Sequence, residues 1–269
     1  MAARASRVVV VGFGAIGQAV ARLLAERGAP ARIVAVGVRD TAAPRPRLPE
    51  GARLIDRPEA LAGLRADLVV EAAGRESVAP WARAALGAGV DCAVSSTSAF
   101  AEAGLLGALT ARARETGARL IVPGGALGGI GVLASAARMG LNRVEHRIVK
   151  PPRAWKGTEA GALCDLDGLD GPAEFFTGSA DSAAARFPQN ANVALITALA
   201  GMGPGATQIV LVADPGASVN RHEITADGAF GALRLEIAAN PLPENPKSSA
   251  MTALSLVRLI ENRDAALVI

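Results

Sequence analysis

The 269-residue sequence contains two histidines, and His222 lies in a pattern suited to proton transfer. It is the central residue of Asn220-Arg221-His222-Glu223-Ile224. Because side chains alternate between the faces of a strand, Asn220, His222 and Ile224 would share one face, and Ile224 indicates that this face is covered. Imidazole titrates near neutral pH, so we predict that His222 is a general acid and base. A core histidine with satisfied hydrogen bonds is the alternative.

The other histidine is expected to be a surface residue. His146 lies among Glu145, Arg147 and Lys150, and this charged neighbourhood is typical of a solvent-facing strand.

A glycine-rich turn near the start of the sequence predicts a dinucleotide site. The apolar run Val8 to Val11 leads into Gly12, Gly14 and Gly17, which are spaced G-x-G-x-x-G, and a helix-compatible segment follows. In this motif the glycines allow a tight turn, the approach of a pyrophosphate and close packing of helix on strand. The helix N-terminus offers unpaired N–H groups to the phosphates.

The end of the second predicted strand bears on the choice between NAD and NADP. An acidic residue there binds the ribose hydroxyls of NAD, whereas an arginine accommodates the 2′-phosphate of NADP. Arg39 and Asp40 are adjacent, so both cofactors stay open. The predicted cofactor-binding residues are Gly12, Gly14, Ala15, Ile16, Gly17, Arg39, Asp40 and Ala73.

A cationic cluster is a candidate for holding a substrate carboxylate. Lys150, Arg153 and Lys156 flank Pro151-Pro152 and Trp155, and a solvated loop is the alternative reading.

Two further polar residues are candidate substrate contacts. Asn190 precedes an apolar helix, where it or Asn192 either caps the helix, the simpler reading, or presents an amide to a ligand. Ser96 follows the fifth predicted strand, at the edge where α/β sheets bind ligands, and its hydroxyl could equally form a turn.

The elements that position these residues predict two domains. Residues 1–122 alternate apolar runs with helical segments, which predicts an α/β, Rossmann-type doubly wound parallel sheet. Residues 123–245 predict an α+β catalytic and dimerisation domain of antiparallel strands and helices, with a hairpin turn at Asp227-Gly228. The C-terminal helix, within residues 246–269, is expected to pack back on the first domain. Residues 157–178 remain unassigned.

The composition excludes several classes of protein. Hydrophobic residues make up 51% of the sequence, so disorder is excluded. The net charge of +3 is not gathered into a basic block, and the long uncharged stretches are broken by glycine and proline, so neither a nucleic-acid partner nor a membrane partner is predicted. The two cysteines lack metal-ligand spacing, so we predict no metal and a cytoplasmic protein with reduced thiols.

Taken together, six segments give the chain a resemblance to the L-aspartate dehydrogenase family over nearly its whole length. They are Gly12-Phe13-Gly14-Ala15-Ile16-Gly17, Glu71-Ala72-Ala73, Pro123-Gly124-Gly125-Ala126-Leu127-Gly128-Gly129, Phe187-Pro188-Gln189-Asn190-Ala191-Asn192-Val193-Ala194, Asn220-Arg221-His222-Glu223-Ile224 and Asn245-Pro246-Lys247-Ser248-Ser249.

The resemblance implies a catalytic histidine at His222 and contacts to the nicotinamide cofactor at Ala126 and Asn192. It also implies use of NAD and often NADP, a homodimer, and a product, iminoaspartate, that feeds pyridine nucleotide biosynthesis in some bacteria.

We therefore predict an NAD(P)-dependent L-aspartate dehydrogenase, which converts L-aspartate and water reversibly to oxaloacetate and ammonia through iminoaspartate. Two alternatives stay open. One is an oxidoreductase like dihydrodipicolinate reductase or homoserine dehydrogenase. The absence of an adjacent histidine pair argues against the former, and the mid-chain motifs fit the latter less well. The other is a non-catalytic dinucleotide-binding sensor.

Overall fold

The structure is a computed structural model that describes residues 5–45 and 47–268, with the backbone alone described at residues 246 and 247. It divides into two compact units. The first comprises the described residues of Met1–Pro123, Leu242–Ser248 and Thr252–Ile269, and the second those of Gly124–Pro241 and Ser249–Met251.

The first unit is built on a six-stranded sheet in which every neighbouring pair is parallel. Its strands are β1 (Arg7–Val11), β2 (Arg32–Gly37), β3 (Arg53–Ile55), β4 (Leu68–Glu71), β5 (Asp91–Val94) and β6 (Leu120–Ile121). Their order, β3-β2-β1-β4-β5-β6, reverses between β1 and β4. Open α/β sheets bind ligands at the carboxyl ends of the strands where this reversal occurs. The predicted doubly wound sheet is confirmed.

Helices connect these strands because parallel neighbours require a crossover. The helices that follow these strands in the chain are α1 (Ala15–Glu26), α2 (Arg75–Gly87) and α3 (Leu105–Thr116), with 3₁₀ turns at Pro58–Leu61 and Thr97–Ala101. In β1, Val8, Val9 and Val10 are completely buried, as expected for a central strand covered on both faces.

The second unit contains a five-stranded mixed sheet in the order β11-β10-β7-β9-β8. Its helices are α4 (Ile130–Ala136), α5 (Ala160–Leu163), α6 (Ala180–Arg186) and α7 (Ala191–Ala200), with 3₁₀ turns at Ala137–Met139, Pro152–Ala154 and Pro188–Asn190. Its strands are β7 (Leu141–Lys150), β8 (Ala173–Ser179), β9 (Gln208–Ala213), β10 (Asn220–Gly228) and β11 (Gly231–Ala239). The predicted antiparallel pairing is found for β7 with β10, β10 with β11 and β8 with β9, whereas β7 and β9 pair in parallel.

Four aromatic residues of the second unit pack together in its core. Trp155 and Phe187 are fully buried and pack edge to face, with Phe175 and Phe176 against Phe187. The Trp155 Nε1–H group donates to the carbonyl of Val212 at 3.0 Å, so the indole is satisfied. This cluster holds the end of β7, where Lys150 lies.

The hairpin turn between β10 and β11 is not where the sequence predicts it. Asp227 and Gly228 stay in the ladder, paired with Ala232 and Gly231, and residues 229–230 form the turn. Gly228 serves a different purpose, because a Cβ there would lie 2.9 Å from the Cα of Leu141 on the neighbouring strand.

The remaining elements are short or lie near the end of the chain. They are β12 (Pro241–Leu242), β13 (Asn245–Ser249) and the helix α8 (Ala250–Glu261). The unassigned segment 157–178 contains α5 and most of β8. No helix among the described residues is long and apolar enough to span a membrane.

Candidate active site

The glycine turn is held by two close backbone approaches. Gly12 follows β1 with a φ of +93°, and a Cβ at this position would lie 2.5 Å from the Cα of Ala73. A Cβ on Gly17 would fall on the carbonyl oxygen of Gly12. Both positions therefore require glycine in order to pack strand, turn and helix together.

Gly14 has a different role, because nothing lies within 4 Å of the place where its Cβ would be. It opens on a groove of about 1260 Å³, whose lining includes Gly12, Gly14, Ala15, Arg39, Asp40 and Ala73. Ile16 and Gly17 are not among the described lining residues. The helix α1 begins at Ala15, and a helix start leaves N–H groups available to an anion. This cradle fits a dinucleotide.

Arginines line the rim of the groove at the end of β2. Arg39 and Asp40 are both exposed there, and Arg45, Arg47 and Arg75 are further lining residues. The Asp40 carboxylate accepts the Ala42 N–H at 2.9 Å. The sequence reading missed Arg45 and Arg47 because they lie in a Pro/Arg segment typical of a surface loop. It also missed Arg75, which begins α2.

A buried carboxylate organises the opposite wall of the groove. Glu71, at the end of β4, is completely buried and accepts the N–H groups of Ala73 and Gly74, both at 2.8 Å. It also accepts the Ser77 hydroxyl at 2.7 Å and the Ser96 N–H and hydroxyl at 3.0 Å. The Ser96 hydroxyl, a predicted substrate contact, donates its proton to Glu71. Glu71 fixes the loop that contributes Ala73 and Gly74 to the groove.

In the second unit the two histidines form a buried pair, and the prediction that His146 lies at the surface is wrong. His146 is completely buried, His222 is 5% exposed, and His146 Nε2 lies 3.0 Å from His222 Nδ1. His146 Nδ1 lies 2.9 Å from the hydroxyl of the fully buried Thr197, on α7. Three elements, β7, β10 and α7, therefore supply one connected chain of polar groups.

The alternation of β7 explains why His146 is buried. Val144, His146 and Ile148 share the covered face, while Glu145 and Arg147 point the other way. The sequence signal was this period of two, and the charged neighbours that suggested a surface position belong to the opposite face.

Burial keeps both imidazoles neutral. It lowers the pKa of His222 to about 3, with a further contribution from the positive charge of Lys150. Burial, aided by His222, also lowers the pKa of His146 well below its ordinary value. The folded protein therefore holds His222 as a neutral base, with its pKa below the neutral range in which a free imidazole titrates.

Lys150 is the member of the predicted cationic cluster that acts on His222. Its Nζ donates to Asn190 Oδ1 at 2.5 Å and lies 5.0 Å from the centre of the Trp155 ring, and burial lowers its pKa to about 8. Lys156 instead pairs with Asp167 at the surface, and Arg153 is exposed. The predicted cluster does not converge.

The contact with Lys150 also decides the role of Asn190. Asn190 occupies the N-cap position of α7, but its side chain makes no capping hydrogen bond, so the simpler reading is wrong there. Asn192 is exposed in the first turn of α7, and Ala126 lies half-buried in the loop before α4. Among the described residues, no group of three or more side chains is placed to hold a metal ion.

These features define the class of dinucleotide-binding oxidoreductases. Residues 12–123 match the family described as homoserine dehydrogenase, NAD binding domain, and residues 131–263 match the family described as aspartate dehydrogenase, C-terminal.

Relatives over the whole chain are more specific. The chain is 56% identical to an L-aspartate dehydrogenase of Brucella anthropi, over 97% of this chain and 98% of that protein. It is 41% identical to an L-aspartate dehydrogenase of Pseudomonas aeruginosa, over 97% and 98%. The crystal structure of aspartate dehydrogenase from Thermotoga maritima superimposes with a TM-score of 0.77 at 27% identity, covering 98% of this chain and 99% of that one. The chain belongs to the aspartate dehydrogenase family.

Proposed function

We propose that this protein is an NAD(P)-dependent L-aspartate dehydrogenase. It oxidises L-aspartate to iminoaspartate, which water converts to oxaloacetate and ammonia, and it also runs in reverse. The observation that carries the proposal is the buried, neutral imidazole of His222 under the influence of Lys150, in a chain 56% identical to a relative of that name.

The dinucleotide belongs in the groove of the first unit. The open side of Gly14 and the start of α1 fit its pyrophosphate, and the rim at Arg39 and Asp40 fits the adenosine ribose. When bound, the nicotinamide accepts or returns the hydride of the amino-acid C2 carbon. On the family resemblance, we assign Ala126 and Asn192 as contacts on the nicotinamide side.

His222 performs the proton transfers of the hydrolytic half of the reaction. The oxygen of a water molecule bonds to C2 of the imine, and His222 moves one water proton to the imine nitrogen. In the next step the remaining O–H proton passes by way of His222 to the same nitrogen, the C–N bond breaks, and ammonia leaves with its electron pair. The two protons of water thus end on ammonia, and its oxygen ends on oxaloacetate.

Lys150 supplies positive charge for a substrate carboxylate. Its ammonium group has three donors, of which Asn190 takes one. With a pKa of about 8 it is mostly charged at pH 7, so it can pair with a carboxylate of aspartate or oxaloacetate.

The test is an absorbance assay of reduced nicotinamide. Protein mixed with oxaloacetate, ammonia and NADH or NADPH should consume the reduced cofactor, and L-aspartate with NAD or NADP should produce it. L-Homoserine and dihydrodipicolinate serve as competing substrates. Turnover of either in preference to aspartate and oxaloacetate would favour that alternative enzyme, and tight cofactor binding without any turnover would favour a sensor.

The role of His222 is tested by His222→Ala. Loss of a general acid and base should lower kcat by about 10² to 10⁴-fold. The dissociation constant for NADH, measured by fluorescence titration, should stay unchanged because the cofactor groove of the first unit is intact. Unchanged turnover in this variant would refute the assignment.

Three broader statements complete the proposal. The homodimer and the biosynthetic role rest on the family resemblance, and the cytoplasmic location rests on the two cysteines, which we expect to be reduced. The protein acts as a homodimer, which light scattering coupled to gel filtration would measure. It is located in the cytoplasm, which fractionation of the source cells would test. Its iminoaspartate supplies pyridine nucleotide biosynthesis, which complementation of a strain unable to make iminoaspartate would test.

A further inference from the structure

The hydrogen bonds around the histidine pair indicate which nitrogen of each neutral ring carries the proton. The Thr197 hydroxyl, which has a single proton, lies 3.1 Å from the carbonyl of Val193 and 2.9 Å from His146 Nδ1. A carbonyl can only accept, so one arrangement makes both contacts hydrogen bonds: Thr197 donates to Val193 and accepts from His146, which places the proton of the neutral His146 ring on Nδ1.

The same reasoning extends to His222. With its proton on Nδ1, neutral His146 presents a lone pair at Nε2, 3.0 Å from Nδ1 of His222. His222 must therefore donate from Nδ1, and its own Nε2 carries the lone pair. This is the nitrogen that a general base needs.

We propose that His146, backed by Thr197, is a positioning residue that holds His222 in the Nδ1–H tautomer, with Nε2 as the base of the reaction. The proposal rests on the proposed function, which gives His222 its role in proton transfer. The second imidazole takes the place that a carboxylate occupies in other catalytic histidine pairs, where the partner fixes tautomer and orientation.

The chain of groups also has a closed end. It stops at the carbonyl of Val193, which cannot pass a proton on. A proton that His222 takes from water can be shared with His146 but has no exit through Thr197, so it returns to the substrate nitrogen. The positive charge of Lys150, on β7, disfavours a second positive charge on His222. A shift of the proton from His222 to His146 moves the positive charge onto the His146 ring, which is hydrogen-bonded to Thr197.

Two replacements at Thr197 form a matched pair. Thr197→Val keeps the shape of the buried side chain but removes the acceptor for His146 Nδ1–H. His146 then satisfies its ring better with the proton on Nε2, facing His222, and this forces His222 into the Nε2–H tautomer. Thr197→Ser keeps the hydroxyl and should keep both tautomers.

Nitrogen-15 NMR of the untagged protein reads the tautomers directly, and only two histidines need assignment. The signals of His222 are identified as those absent from His222→Gln. In the unchanged protein we expect protonated Nδ1 and unprotonated Nε2 on both rings, and the reverse on both rings in Thr197→Val. A protonated Nε2 on His222 in the unchanged protein would overturn the proposal without any activity measurement.

Steady-state kinetics supply the second arm. Thr197→Val should lower kcat by at least about tenfold. For comparison, a wrong imidazole tautomer lowers kcat of a serine protease by about 10⁴-fold. Its KM for NADH should stay unchanged, and Thr197→Ser should restore kcat to near the starting value. Equal kcat in the two variants would overturn the positioning role. If Thr197→Val does not fold, His146→Phe removes the acceptor for His222 Nδ1–H directly and should also lower kcat.

The experiments distinguish failure of the proposed function from failure of the positioning role of His146 and Thr197. Absence of aspartate dehydrogenase activity in the unchanged protein removes the proposed function, whereas the NMR result still reports the tautomers. Full activity in His222→Ala removes both proposals. Normal loss of activity in His222→Ala, with equal kcat in the Thr197 pair, removes only the role of His146 and Thr197.

Discussion

The neutral histidine pair should make the second unit sensitive to mild acid. The folded pKa of His222 is depressed to about 3, whereas in the unfolded chain it has the ordinary value of 6.5. Below pH 6.5, His222 therefore binds a proton in the unfolded chain but stays neutral in the folded chain. The contribution of His222 to stability is complete above pH 6.5 and is lost progressively as the pH falls toward 3.

The size of this loss follows from linkage. Between pH 7.5 and pH 5 the unfolded His222 becomes almost fully protonated while the folded ring stays neutral, which costs about 2 kcal/mol of unfolding free energy. The size of this loss depends on the pKa of His222 in the unfolded chain, because a folded-state pKa near 3 lies well below pH 5. His146 adds a loss of the same sign, since burial lowers its pKa too.

Urea unfolding at pH 7.5 and pH 5, compared between the unchanged protein and His222→Gln, isolates the contribution of His222. Both proteins keep His146 and the same carboxylates, so the contributions of those groups to the pH dependence of unfolding largely cancel in the comparison. The drop in unfolding free energy should be smaller by about 2 kcal/mol in the variant. An equal drop in both proteins would refute the conclusion that His222 is held neutral in the folded state.

Three further predictions concern the cofactor groove. Glu71→Gln replaces one of the two carboxylate oxygens by an NH₂ group, which faces N–H and O–H donors and cannot accept from them. The variant should therefore lose about 1 to 3 kcal/mol of unfolding free energy, measured by thermal or urea unfolding, and its KM for NADH should rise. Gly14→Ala should leave the melting temperature unchanged but weaken NADH binding in a fluorescence titration, whereas Gly17→Ala should lower the melting temperature; identical behaviour of the two would contradict the cradle. Arg39→Ala should reduce kcat/KM for NADPH more than for NADH and Asp40→Ala the reverse, and equal effects on both cofactors would reject these contacts.

The first unit was readable from the sequence because its signals are local. Buried parallel strands are short runs of branched apolar residues, as in β1, and the glycine turn follows directly. The glycine spacing alone predicted which backbone positions must approach closely, and Gly12 and Gly17 do. The role of Glu71 was not readable, because its hydrogen-bond partner Ser96 lies 25 residues away, in the loop that follows β5.

The second unit was harder to read because its site depends on strand pairing. His222 was found from the alternation within β10 alone. His146 lies 76 residues earlier, and the two rings meet only because Ile224 pairs with His146 and His222 with Ile148, which makes the histidines diagonal neighbours on one face. The parallel pairing of β7 with β9 likewise depends on a long crossover that includes the unassigned segment.

The low basicity of His222 has a physical explanation within the proposed reaction. Part of the depression of its pKa comes from the charge of Lys150, and Lys150 is the group we assign to a substrate carboxylate. When that carboxylate binds, its negative charge offsets the ammonium group and raises the pKa of His222 toward the range in which an imidazole exchanges protons efficiently. His222 would then gain basicity only when substrate is present. Without a bound dicarboxylate, the two imidazoles stay neutral and do not take protons from solvent. With a dicarboxylate bound, His222 is basic enough to take one, so proton transfer is restricted to the occupied site.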